Sequence, residues 1–172
     1  MATRARIGLK QADGTIITAY QHWDGYPGGL GYNLCDNWTN TEKVLKAIRL
    51  GGASKWGQII GKKIDFDDRH NEMYEVQNVY YGRDRGEKDQ GPTTFRNEQE
   101  YLDEGFGSGE EYIYLMKDMG KKDYMERPVG TWFYAHHSDR TRFDTVEEVA
   151  IRDHIKSLKE HLDSIKQQRK VA

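Results

Sequence analysis

Cysteine is almost missing from this chain. Cys35 is the only one in 172 residues, which excludes an intrachain disulfide and any cysteine-rich zinc site. Set between Leu34 and Asp36, it reads as a packing residue rather than a nucleophile. An excess of one sign of charge is missing too. The net charge is −2, so no global basic field exists to hold a phosphate backbone and non-specific nucleic-acid binding is disfavoured, while a local basic patch stays open. A DNA mimic would need a far larger negative excess. No run approaches the roughly 20 apolar residues of a membrane span. The start, MATRARIGLK, carries positive charge with no apolar stretch behind it and does not read as a signal peptide. Internal repeats and low-complexity tracts are absent.

Catalytic signatures are absent as well. The chain has no Gly-x-Ser-x-Gly, no His-Glu-x-x-His and no Cys–His pair, and its glycines fit neither the phosphate-loop nor the dinucleotide pattern. Carboxylates are plentiful, but no spacing singles out an acid–base couple. No cofactor is called for.

What is present is aromatic and polar. Eleven Tyr and 4 Trp raise the aromatic share to 12% against a hydrophobic share of 36% and a charged share of 31%. Such a chain is ordered, with a thin core and wide solvated faces. Its length suits one domain that removes roughly 70% of its unfolded surface from water.

Residues 4–10 alternate in character, Asp13-Gly14 marks a primed hairpin turn, and TIITAYQ (15–21) is the returning strand. HWDGYPGGLG (22–31) follows. Pro27 suits a first helical position, and Leu30, Leu34 and Trp38 recur on one helical face. The interior glycines then demand a reason, which is close backbone approach. Thr39-x-x-Glu42 is a capping box for a helix over 41–50, stopped by Gly51-Gly52. Short strands are expected at 59–60 and 64–66 and a strand at 76–81. A charged loop should cover 82–92, a helix 95–104, strands 112–116 and 131–136, and a polar loop between those two strands. From Thr145 no glycine or proline interrupts the chain to about 169. Ile151, Ile155, Leu158, Leu162 and Ile165 are spaced 4, 3, 4, 3, a heptad seam. The expected fold is α+β: an antiparallel or mixed sheet with helices packed on one face over residues 1–143. A long C-terminal amphipathic helix over 144–172 would serve oligomerisation or docking.

Three constellations carry chemistry. His22-x-Asp24 and His136-His137-x-Asp139 would make a metal or acid–base centre only if their strand ends met, and local capping is the plainer reading, so no metal is assigned. Gly25, Gly28, Gly29 and Gly31 could cradle an anion, though a tight turn with close packing fits better. Tyr80-Tyr81-Gly82-Arg83-Asp84-Arg85 offers stacking rings and guanidinium forks for a nucleotide or an acidic partner, against the plainer reading of a salt-bridged loop.

IGLKQADGTIITAYQHWDGYPGGLG, YYGRDRGE and the pair EYIYLM and TWFYAH resemble a group of small accessory proteins of tailed bacteriophages. These open with a DG hairpin and an HWDGYP-type motif. The resemblance spans residues 4–50 and, more loosely, 79–136; the C-terminal helix reads as an extension. It implies an origin and a place of action, the infected cell's cytoplasm, where such proteins bind host machinery or blunt host defences. The expectation is therefore a non-catalytic protein that binds a host protein or a small anionic, nucleotide-like ligand. Its binding surface would be His22, Trp23, Asp24, Tyr26, Tyr80, Tyr81, Arg83 and Arg85, with the seam either forming a homodimer or docking face or lying on the chain's own domain. The alternatives are a metal- or nucleotide-dependent hydrolase and a virion component.

Overall fold

The computed structural model describes residues 2–171. The hairpin forms as expected: β1 (Ala5–Lys10) pairs antiparallel with β2 (Ile16–Gln21). Its turn differs in detail. Gln11 N donates to Thr15 O at 2.8 Å and encloses three residues, the last of which, Gly14, sits at φ 88°. This is the longer loop ending in a left-handed glycine, not the two-residue primed turn.

The chain then forms one tight π-helical turn (Pro27–Gly31) running into α1 (Tyr32–Asn37), and α2 (Thr41–Arg49) follows. The cap of α2 is Asn40, whose side chain accepts from Lys43 N, rather than Thr39. Gly51, at φ 86°, turns the chain out of the helix. β3 (Ala53–Lys55), β4 (Val79–Tyr80), α3 (Tyr81–Arg85), β5 (Thr93–Phe95), α4 (Glu98–Glu104), β6 (Tyr112–Lys122), β7 (Pro128–His136), β8 (Asp139–Thr145) and α5 (Glu147–Val171) complete the order.

The strands make one mixed sheet, ordered β4-β3-β2-β1-β6-β7-β8, with β5 also on β2. β1–β6 and β2–β3 run parallel and the other pairs antiparallel. Strand alternation sends Ile7, Leu9, Ile17, Ala19, Tyr114 and Met116 to one face. There they join Leu30, Leu34, Trp38, Val44, Ile48, Val146 and Ala150 in the main core. The opposite face carries Ile16, Ile113 and Leu115 against Tyr101 and Leu102 of α4. The fold is α+β, with helices on both faces: α1, α2 and the foot of α5 on one, α4 on the other. The second face also buries an ion pair. Arg6 Nε donates to Glu110 Oε2 at 2.7 Å, and Ser108 N donates to Glu110 Oε1 at 2.6 Å.

Several expectations are corrected. Residues 64–66 are not a strand; Phe66 anchors a small cluster with Tyr74 and Val79. Ile59 makes only an isolated bridge to Gln77. The strand foreseen over 76–81 shrinks to two residues because Tyr81 begins α3. The helix foreseen from Phe95 starts at Glu98, and Phe95 belongs to β5. The stretch 117–130 is no loop: β6 and β7 continue as a paired arm, Lys117↔Thr131 to Lys122↔Pro128, with Met119 exposed along it and Tyr124 and Met125 exposed at its tip. β8 went unforeseen because DRTRFDT is an exposed edge strand with no apolar alternation. Among the described residues, no helix is long and apolar enough to cross a membrane.

The glycines of the opening motif are explained by contact. A Cβ on Gly25 would lie 2.6 Å from Ala5 Cβ and from Thr3 O, and one on Gly28 would lie 3.0 Å from Asp153 Cβ on α5. The turn is thus pressed between the sheet's end and the long helix. Gly25→Ala is expected to lower the unfolding free energy by about 1–3 kcal/mol through overpacking, measured by urea denaturation; an unchanged midpoint would contradict the contact.

Candidate functional site

β2 ends at Gln21, but its pairing with the next strand carries on: His22 N donates to Ala53 O at 3.0 Å and Trp23 N to Ser54 O at 3.1 Å. This fixes the indole of Trp23, whose Nε1 donates to Ser54 Oγ at 3.1 Å. The turn then swings Asp24 and Tyr26 outward. Opposite them stands the chain leaving β3, Lys55-Trp56-Gly57-Gln58, with Glu75 above it. The result is a cleft of about 260 Å³ lined by Gln21, Trp23, Asp24, Tyr26, Asn33, Lys55, Trp56, Gln58 and Glu75, among others. The Trp23–Asp24 peptide bond is cis.

The cleft's deep groups are polar and incompletely paired. Gln21 is 1% exposed; its Nε2 donates to Trp23 O at 2.6 Å, while its Oε1 has no partner. Trp56 is 6% exposed, leans on Trp38 with ring centroids 4.6 Å apart, and has no acceptor for Nε1. Lys55 is buried. Its Nζ donates to Tyr74 O at 2.5 Å and lies 3.9 Å from the Glu75 carboxylate. Burial holds the lysine below its ordinary value, and Glu75 partly opposes that. A larger groove, about 670 Å³, lies among Leu9, Thr41, Leu45 and Met119. None of the buried, unpartnered side-chain atoms belongs to its lining. Buried polar groups are normally paired, and a pair of exceptions in one cleft calls for an explanation.

The residues picked from sequence separate into two groups. Trp23, Asp24 and Tyr26 line the cleft, with Asp24 and Tyr26 exposed. Burial and then the Asp24 charge raise the Tyr26 phenol. His22 stands beside the cleft, half-buried, with Nδ1 2.8 Å from Tyr20 Oη; burial and then Arg4 keep its imidazole below the ordinary 6.5. Most of the Tyr80–Arg85 stretch is internal scaffolding, although Arg85 itself is exposed. Tyr80 is fully buried and donates its hydroxyl to Ala47 O at 3.0 Å. Asp84 is buried and accepts from Tyr80 N at 2.8 Å and Ile64 N at 3.1 Å. Arg83 neutralises it and also donates to the carbonyls of Ile60, Gly61 and Asn78. Tyr81 is half-buried against Phe66, and Arg85 lies over the Phe66 ring, paired with Glu87 at 2.8 Å. None of these residues lines the cleft.

The two histidine clusters share one end of the sheet but do not meet. Gln21, Ala5, Tyr112 and His136 form one cross-strand row. His22 and His136 are therefore three strand spacings apart, about 14 Å. His136 Nδ1 instead lies 2.6 Å from Ser138 Oγ. Among the described residues, no group of three or more His, Cys, Asp or Glu side chains is placed to hold a metal. The glycine turn offers little to an anion: the amides of Gly25, Leu30, Gly29 and Gly31 already donate to Thr3, Asp24 and, for the last two, Tyr26 carbonyls.

Gln21, Lys55, Trp56 and Glu75 were not foreseen. A buried lysine looks in sequence like any surface lysine, and residues 51–75 carry no clear periodicity. The Trp56-Gly57 pair beside a cation was the one available signal. The seam residues Ile151, Ile155, Leu158 and Leu162 are 41%, 47%, 50% and 55% exposed, and Ile165 is half-buried. Set against known protein families, curated proteins and solved structures, the chain matches none.

Cys35 is held protonated: burial, followed by Glu147 and Asp36, pushes its thiol up to about 12. In the native protein at mildly alkaline pH the thiol is expected to react with a chromogenic disulfide reagent many-fold more slowly than after denaturation; equal rates would contradict this packing role.

Proposed function

We propose that the protein is a non-catalytic binding protein that receives a segment of a host protein in the cleft beside the HWDGYP turn. The carrying observation is that two residues of the cleft lining, Gln21 and Trp56, each hold a buried side-chain atom without a partner, the acceptor Oε1 and the donor Nε1. Both atoms are sealed from solvent, so an incoming amide, which carries one donor and one acceptor, would reach them through a shift of the cleft wall. Trp23 and Tyr26 at the rim are residue types that dominate binding energy when a partner covers them. The charge balance favours a peptide over a small anion, since Asp24 and Glu75 outnumber Lys55 in the lining. No Ser, Cys or His lines the cleft, so it lacks the usual nucleophile–base pairing. The resemblance of residues 4–50 to tailed-phage accessory proteins supports a viral origin and the infected cell's cytoplasm as the place of action.

Two substitutions test this. Trp56→Phe removes an unsatisfied buried donor while keeping most of the ring packing. It is expected to leave the unfolding free energy unchanged or to raise it by about 1 kcal/mol. Affinity capture from infected cells, read by mass spectrometry, should lose with Trp56→Phe and with Tyr26→Ala a host protein that the unaltered chain retains. Undiminished capture by both variants would refute the reading.

A further inference from the structure

α5 is 25 residues long, about 37 Å at 1.5 Å per residue, yet only its first two turns are seated. Val146, just before it, and Ala150 are fully buried, and the His154 ring stacks on Tyr32 with centroids 3.8 Å apart and planes at 7°. From residue 155 onward every described side chain except Ile165 is exposed. The apolar seam therefore does not lie on its own domain. Ile151, Leu158 and Ile165 take one seam position and Ile155 and Leu162 the other.

The flanks of that seam tell what would cover it. Arg152, Lys159 and Lys166 each follow a residue of the first set and run down one side. The other side reads Glu147, His154, His161 and Gln168, and Glu147 belongs to the foot of the helix, where it borders Cys35. In a parallel pair of identical helices, one flank faces the other. Lys159 and Lys166 would then face histidines rather than carboxylates. In an antiparallel pair like flanks face each other, and the three basic residues would oppose basic residues. A parallel self-pair would match Arg152 with Glu147 but leave Lys159 and Lys166 against histidines, and an antiparallel one would set cation against cation, so self-pairing is disfavoured at these positions.

We propose that α5 docks an amphipathic helix of another protein whose apolar seam is bordered by acidic residues. The seam supplies the buried area; Lys159 and Lys166 supply most of the selection, since Arg152 already lies 3.6 Å from Asp153. This surface is separate from the cleft and does not depend on the reading given for it.

The test uses the full-length protein and a synthetic helix of about four heptads with Ile and Leu in the seam and Glu on both flanks. A control peptide carries Lys on both flanks. The acidic peptide is expected to bind about tenfold or more tightly than the basic one, and less so as salt rises. Leu158→Asp with Leu162→Asp, both at exposed positions, should abolish binding with the thermal midpoint unchanged. Lys159→Glu with Lys166→Glu should reverse the preference toward the basic peptide, which a purely apolar contact would not do. Sedimentation should find the chain monomeric, and vesicles of phosphatidylcholine and phosphatidylglycerol should not pull it down. Equal or absent binding of the two peptides would overturn the proposal. So would a dimer that the seam substitutions dissolve, or adsorption to the anionic vesicles.

Discussion

The structure depends on bringing bare backbone at residues 25–31 into contact with three things at once. Below it is the end of the sheet, where Gly25 N meets Thr3 O and Tyr114 Oη donates to Gly25 O at 2.6 Å. Beside it is α5, whose Asp153 lies against Gly28. Along it runs the cleft, whose rim the same turn sets. A side chain at Gly25 or Gly28 would push these bodies apart. The glycines cost helical propensity, and the close packing of Leu30, Leu34 and Trp38 beneath offsets that cost.

That arrangement separates what stabilises the fold from what the fold presents. The Arg6–Glu110 pair, the Tyr101 hydroxyl on the Tyr114 carbonyl at 2.8 Å and the Arg83–Asp84 clamp are saturated, buried and inward. Among the described residues, Gln21 Oε1 and Trp56 Nε1 in the cleft wall are left without partners, as are Tyr74 Oη and Thr131 Oγ1 away from it. Unsatisfied groups persist where the rest of the structure holds them in place. The protruding part of α5 is a second departure of the same kind, since an apolar seam left in water is a liability unless something covers it.

Legibility in the sequence followed burial pattern. The DG hairpin, the helix over 41–50, the Pro27 start and the long C-terminal helix were all readable because turn chemistry and 3.6-residue periodicity are local signals. The demand that the glycines report close approach was readable too, though not against what. Other features were hidden for physical reasons. β8 is an edge strand facing water and shows no apolar alternation. The β6–β7 arm is too polar to look like strand. Lys55 and Asp84 are charged residues inside the protein, and their burial is compensated by partners distant in sequence: the Tyr74 carbonyl for one, Ile64 N for the other. Half of the site picked from sequence, 22–26, borders the cleft. The other half, 80–85, carries ring and guanidinium types that suit binding and internal clamping equally, and only tertiary contacts decide between them.

Amide hydrogen exchange across residues 25–32 tests the central constraint most directly. Gly25, Gly29, Leu30, Gly31 and Tyr32 all donate to carbonyls within the fold, so their amides should exchange as slowly as those of β1 and β6. Exchange at the rate of an open loop, with the strands still protected, would mean that the turn is not clamped and that the glycines serve some other purpose.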